Sequence, residues 1–402
     1  MYLTKEEEAM LNGERGETIQ KCMKVLVTLG ELYGAKRMLE IKNVHSPGVS
    51  YRVTGDAGLN YVKDASKNAC FKIPTTLNNV GIDMHRWKEL GFENDFAQKQ
   101  IELSNAYKEM GAIMTNTCIP YLNGNVPMFG ENIAWGESSA IVYANSVIGA
   151  RTNREGGPTA LAAAITGRVP EYGLHLDENR KGTCQIKVDI DLESDTDYAA
   201  LGYYVGTLVG REIPVFTGID KRPTTENLKA LCAALASSGA VALFHIVGIT
   251  PEAPTIDDVL DKEVEIYNFG KKEYLEAFEK FNYKGDVDFV VFGCPHATID
   301  EIRTIAALLE NKKVKAETWI CTSHQIKDLA TQMDCLSVLE EAGVKIVCDT
   351  CPVLCQTLNR GFESVVTNSC KMAHYVRGLW NVKARLAQVE DCVDAAIKGR
   401  LE

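Results

Sequence analysis

The stretch from Val287 to Cys355 limits the folds open to this chain more than any other. Val287-Asp288-Phe289-Val290-Val291-Phe292 has the apolar character of a buried strand, and it runs straight into Gly293-Cys294-Pro295-His296. Thr298 and Glu301 then form a capping-box pair ahead of Ile302, Ile305, Leu308 and Leu309, an apolar stripe at helical spacing. The unit repeats. Ala316 to Ile320 predicts a second strand ending at Cys321; Thr322 and Gln325 offer the next cap, and Ile326, Leu329, Leu336 and Leu339 give the following helix its apolar face. Val344 to Val347 predicts a third strand ending at Cys348, with Cys351 and Cys355 beyond it. Strands alternating with helices in this way predict a parallel sheet. Cys294, Cys321 and Cys348, spaced 27 residues apart, then fall at the carboxyl ends of its strands, the edge where such sheets bind ligands.

A chain of 402 residues buries a large core and divides into two or three packed α/β units. Changes in pattern place the first at residues 1–195, the second at 196–285 and the third at 286–402. No apolar run reaches about 18 residues, so no membrane span is expected. The acidic start Thr4-Lys5-Glu6-Glu7-Glu8 lacks the apolar core of a signal peptide, and a cytoplasmic protein is expected. A net charge of −11 argues against a nucleic-acid or anionic-membrane partner. The thirteen cysteines are an odd number scattered through the chain, which favours free thiols and metal ligation over a disulfide framework.

Several polar segments interrupt the apolar pattern. His45, Ser46 and Ser50 lie in a predicted loop with Pro47 and Gly48, placed either to meet a ligand or simply to turn the chain. A charged helix is predicted from Asn94 to Met110. Beyond it Cys118 ends a short strand-like run with Pro120 behind, a layout like that of Gly293-Cys294-Pro295. Gly136-Glu137-Ser138-Ser139 opens an apolar helix. Gly149-Ala150-Arg151-Thr152-Asn153-Arg154-Glu155-Gly156-Gly157 follows, and two arginines in a glycine-rich loop suit the capture of a carboxylate or phosphate; a solvated loop with an ion pair to Glu155 is the rival reading. His245, inside the apolar run Val241 to Val247, reads as a hydrogen-bonded core histidine. A final amphipathic helix is predicted from Val382 to Ile397.

The cysteines divide by context. A structural zinc ribbon needs a second Cys-x-x-Cys, and Cys348-Asp349-Thr350-Cys351 alone also fits a thioredoxin-like redox pair. Cys118, Cys294 and Cys351 each stand in a loop just past a strand, beside proline and polar residues. Three thiolates are one short of the four that usually close an iron–sulfur cluster, and a cluster so held keeps one iron open as a Lewis acid.

Taken together, Met1 to Glu7, Gly48-Val49-Ser50-Tyr51 with Gly55-Asp56-Ala57-Gly58, Thr117-Cys118-Ile119-Pro120-Tyr121, Gly149 to Pro158, Gly173 to Arg180, Gly293-Cys294-Pro295-His296 and Thr367-Asn368-Ser369 resemble the large, catalytic subunit of the aconitase X family in order along the whole chain. The resemblance implies an α/β, aconitase-like fold of three α/β/α subdomains around a cluster site. The swivelling domain would be a separate small subunit that also brings the catalytic serine base. It implies an iron–sulfur-dependent hydro-lyase acting on a small hydroxy acid, phosphomevalonate before cis-3-hydroxy-L-proline. The ligands of a 4Fe–4S cluster, or else of a 2Fe–2S cluster or a single iron, would be Cys118, Cys294 and Cys351. Gly48, Val49, Ser50, Arg151, Thr152, Arg154, Asn368 and Ser369 would bind substrate, and Ser138, Ser139, Asn153, His296 and Lys371 would serve the chemistry. Cys348, Cys355 and Cys370 depart from the family pattern. Against this stand a thiol redox or metal-binding protein without hydro-lyase activity, and a non-catalytic scaffold.

Overall fold

The computed structural model describes residues 1–355 and 361–401. Three parallel sheets carry the architecture. In the first, Val44–Ser46 lies between Thr75–Leu77 and Ala134–Trp135. In the second, the order is His245–Ile246, Pro214–Thr217, Cys184–Val188, Glu265–Phe269; in the third it is Lys345–Cys348, Glu317–Thr322, Phe289–Phe292, Ser364–Thr367, Lys383–Leu386.

The repeat that dominates the sequence builds the third sheet. Its chain runs outward from Phe289–Phe292 through two strands, then returns to lay Ser364–Thr367 on the other side. Neighbouring strands whose chains leave in opposite directions open a crevice at their carboxyl ends. Gly293-Cys294 leaves one of those strands there and Asn368-Ser369 leaves the other. The helices between strands bury apolar stripes: Ile302, Ile305, Ala306 and Leu309 of Ile299–Leu309 are buried, under the expected Thr298–Glu301 capping box.

Several local expectations change. The second cap of the repeat is Ser323, whose Oγ accepts from Ile326 N at 3.3 Å, in place of Thr322, and the helix it opens breaks at the left-handed Asp334 into His324–Gln332 and Cys335–Ala342. Cys184–Val188 pairs on both sides and is central to the second sheet, ahead of residue 195 where the sequence pattern begins that unit. His45 and Ser46 lie in a fully buried strand flanked on both sides, and only Pro47 and Gly48 turn. The expected last helix splits into the strand Lys383–Leu386 and the helix Val389–Lys398, because Val382 to Leu386 alternates between exterior and interior with the period of a strand. Of the run Val241 to Val247 only His245–Ile246 pairs, and His245 Nε2 donates to the Arg180 carbonyl at 2.7 Å as a core histidine does.

Buried histidines give the fold a pH dependence. Burial lowers the pKa of His45 to about 4 and, with Arg180 and Arg151 nearby, that of His175 to about 3. Unfolded histidine titrates near ~6.5, so below that pH the unfolded chain binds protons that the folded chain refuses. Stability should therefore be complete above pH 6.5 and fall as the pH drops towards 4, by about 1.4 kcal/mol per pH unit for each histidine. Urea midpoints at pH 7 and pH 5 test this; equal midpoints would mean that the folded chain accepts the charge.

Candidate active site

Three loops bring cysteines to one pocket. Gly293 has φ +82°, and a Cβ there would stand 2.0 Å from the Cys321 carbonyl oxygen, so glycine is required for the chain to pass over that strand and present Cys294. Cys321 thus supports the loop with its backbone. Cys351 follows Asp349, a left-handed residue at φ +65°. The Asp349 carboxylate accepts from Met84 N at 3.1 Å and Asn116 Nδ2 at 3.2 Å and pairs with His324 Nε2 at 2.9 Å, while its carbonyl accepts from Val80 N at 2.8 Å. Asp83 adds a further tie by accepting from Cys348 N at 3.0 Å. These bonds pin the Cys348–Cys351 turn to the first unit, which supplies Cys118. Asp349→Ala removes the three carboxylate contacts, to Met84 N, Asn116 Nδ2 and His324, and leaves the Val80 and Asp83 ties in place; a loss of about 2–4 kcal/mol in urea unfolding is expected, with a lower yield of any metallated protein.

His296 locks the three loops together. Its ring lies 3.0 Å from Thr117 Oγ1 on one side and 2.7 Å from Asn79 Nδ2 and 3.1 Å from the Thr350 carbonyl on the other. Its backbone N–H donates to Cys118 Sγ at 3.2 Å. Burial lowers its pKa to about 4, so the ring is a neutral brace beside the thiols. Cys118, Cys294 and Cys351 line one cavity of about 140 Å³ with Glu137, Ser138 and Lys371.

A charged pair forms the opposite wall. Lys371 Nζ lies 2.5 Å from Glu137 Oε1 and donates to Ser139 Oγ at 3.3 Å. Glu137 caps the helix Ser138–Tyr143 and also accepts from Asn78 Nδ2 at 2.9 Å. Burial opposes its charge, but Lys371 and these donors prevail and hold its pKa down at about 2; Lys371 is correspondingly raised. Asn78 Oδ1 and Asn79 Oδ1, on residues that line the cavity, are buried without a partner among the described residues and offer acceptors to a ligand hydroxyl.

The donor set fits an iron–sulfur group. Three soft thiol ligands border a cavity with room beside them, and no competing hard-ligand cage intrudes among the described residues lining it. As free thiols they are held protonated: burial pushes Cys118 and Cys294 up to about 12 and Cys351 further. Metallation would displace those protons.

Family models for the aconitase X first, second and third domains match residues 1–178, 182–279 and 287–398. The chain belongs to the aconitase X family. The crystal structure of Thermococcus kodakaraensis aconitase X in its holo form superposes with a TM-score of 0.91 at 40% identity, covering 98% of this chain and 100% of that one, so the expected aconitase-like α/β fold is met. The phosphomevalonate dehydratase large subunit of Methanothermobacter thermautotrophicus is 46% identical over 96% of each chain. The cis-3-hydroxy-L-proline dehydratase of Pseudomonas aeruginosa is 35% identical over 98% of this chain and 70% of its own.

Within this aconitase X chain the residues singled out in the sequence are distributed over several layers. Ser138, Lys371 and the three cysteines line the pocket, and Ser139 stands behind as a partner of Glu137. Ser369 donates to the Cys294 carbonyl and caps the Lys371 helix, while Asn368 lines a separate chamber. Val49 is a core residue, and Ser50 Oγ reaches the carbonyl of the pocket residue Leu354 at 3.4 Å. Gly48 packs against Gly157. Thr152 Oγ1 accepts from Trp135 N, and Asn153 binds the backbone at Tyr172 and Leu174. Arg151 is engaged by Asp177 and by the His175 carbonyl; Arg154 donates to the Val241 carbonyl at 3.2 Å. Glu137, Asn78, Asn79 and Asp349 escape the sequence reading, because an acid opening a helix and an asparagine in a polar loop look like ordinary caps and turns. The close approach of Gly136, where a Cβ would stand 1.9 Å from Pro47, is what fixes Glu137 over the pocket.

Proposed function

We propose that this chain is the large subunit of a phosphomevalonate dehydratase, completed by a small subunit. As an aconitase X chain it is a hydro-lyase. The observation that carries the reading is the convergence of Cys118, Cys294 and Cys351 on one cavity opposite the Glu137–Lys371 pair. The 46% identity to a phosphomevalonate dehydratase large subunit, against 35% to a hydroxyproline dehydratase that extends well beyond the matched part, favours the phosphorylated substrate and a separate partner chain.

The three cysteines would hold an iron–sulfur cluster, which supplies a Lewis-acid iron that polarises a substrate hydroxyl. The chain's own residues do the rest of the positioning. Lys371 and the unpartnered Asn78 and Asn79 oxygens would orient the hydroxy-acid head, with Glu137 fixing the ammonium. Of the two loop arginines, Arg154 is the candidate for the substrate's anionic end, since Arg151 is tied to Asp177. The proton is taken by the small subunit, so the large chain alone is inactive. Arg154→Ala in the assembled enzyme should reduce kcat/KM by about 2–5 kcal/mol, or roughly 30-fold or more.

The deciding experiment is anaerobic co-purification with the small subunit, followed by assay of water loss from phosphomevalonate and from cis-3-hydroxy-L-proline. Turnover of phosphomevalonate alone is expected. Turnover of hydroxyproline alone overturns the substrate assignment, and an intact cluster with neither activity overturns the dehydratase reading.

A further inference from the structure

The carboxyl edges of the second and third sheets face one another across a chamber of about 320 Å³ on the far side of the Gly293-Cys294-Pro295 loop from the cysteine pocket. Four helices begin on it: Asp195–Val209, Thr225–Gly239, Ile299–Leu309 and Val389–Lys398. Their first-turn acids Asp195, Glu226, Asp300, Glu301 and Glu390 line the chamber. Thr196 lines it too; it is 0% exposed and its Oγ1 has no partner among the described residues, a buried hydroxyl that calls for a hydrogen-bonding ligand.

A second cavity of about 20 Å³ lies between chamber and pocket. It shares Asp195, Gly293, Glu301 and Asn368 with the chamber, and Gly293, Cys294 and Pro295 with the pocket. A cavity needs about 10–15 Å³ and two to four polar partners to hold a water. This one has the volume for a single molecule, and Asp195, Glu301, Lys229 and Ser369 surround it. Lys229, 2% exposed, pairs with Glu301 and donates to the His296 carbonyl at 3.0 Å, so the polar wall is rigid.

We propose that chamber and neck form a rear water route to the Cys294 loop, with one ordered water in the neck. The inference rests on the dehydratase reading, in which each turnover releases one water at the cysteine pocket. When a substrate and partner subunit cover the front of the pocket, the neck lets that water leave behind Cys294. Only water passes. The neck is too small for a hydroxy acid, and this size limit rather than the chamber's charge makes the selection, since Lys221, Arg222 and four helix N-termini stand among the carboxylates there.

The test uses the complex of large and small subunits with its cluster in place. Ala230→Leu and Asp195→Leu each fill the neck, one from the Thr225–Gly239 helix and one from the Asp195–Val209 helix. Each should keep the cluster absorbance and KM of the unaltered complex and lower kcat by at least about fivefold, as slowed product release does. Both variants turning over within about twofold of the unaltered complex, with leucine seen in the neck, would overturn the proposal. Should leucine prevent folding, the crystal structure of the unaltered complex decides: an ordered water hydrogen-bonded to at least two of the neck's polar atoms supports the route, and a neck without one overturns it. A failure of the dehydratase reading is distinguishable, because the unaltered complex would then show no turnover.

Discussion

Cys294→Ser protein, assembled anaerobically with its small subunit, is expected to lose its cluster absorbance and nearly all turnover. The serine hydroxyl is isosteric but far harder to ionise, and only two soft ligands would remain around the cavity. Lewis-acid polarisation is worth several kcal/mol, so a loss of about a thousandfold or more follows at roughly 1.4 kcal/mol per decade. Cys118→Ser and Cys351→Ser should behave alike. Cys321→Ser is the control. Cys321 is 0% exposed in an apolar core and Gly293 meets only its backbone carbonyl, so that variant should retain cluster and activity while losing about 1–3 kcal/mol of stability to the buried hydroxyl. Full absorbance in Cys294→Ser, or its loss in Cys321→Ser, would move the ligand set to other thiols.

The contrast between Cys294 and Cys321 also shows what was legible in the sequence. The 27-residue repeat reads out a parallel sheet and the edge where ligands gather, and the third sheet has those strands in that order. The repeat does not say which thiol reaches the cavity. That depends on Gly293 turning left-handed over Cys321, a backbone event with no periodic signature. Cys118 is legible only as a weak strand-loop-proline pattern, since it comes from a different sheet unit and meets the others through His296 and Asp349, contacts between residues more than 170 positions apart for His296 and 230 for Asp349. Polar loops were visible as polar, but burial decided their roles: Val44–Ser46 became a strand, and Glu137 a buried carboxylate. Arg151 and Arg154 look equivalent in sequence. In the fold one is held by Asp177, and the other donates to the Val241 carbonyl.

Lys371→Met is expected to destabilise the chain by about 3–5 kcal/mol, because it leaves the Glu137 carboxylate buried without its cation. The double variant Glu137→Gln with Lys371→Met removes both charges and should recover most of that stability, to within about 1 kcal/mol, since two polar or apolar side chains of similar volume replace a desolvated pair. Turnover should stay absent in both. Recovery of stability without recovery of activity would assign the pair to substrate positioning, whereas a double variant as unstable as the single would make it a structural bond. The acid limb gives an independent check. With Lys371 present, the folded-state pKa of Glu137 is about 2, below the ordinary 4.5, so the pair's contribution is full above pH 4.5 and is lost as the pH falls towards 2. In the Lys371→Met chain burial acts on Glu137 without its cation and raises its pKa above 4.5, so protonation relieves the penalty. Its deficit should be largest above that raised pKa, shrink as the pH falls through it and go on shrinking towards pH 2, and a deficit independent of pH would mean that Glu137 is not held ionised by Lys371.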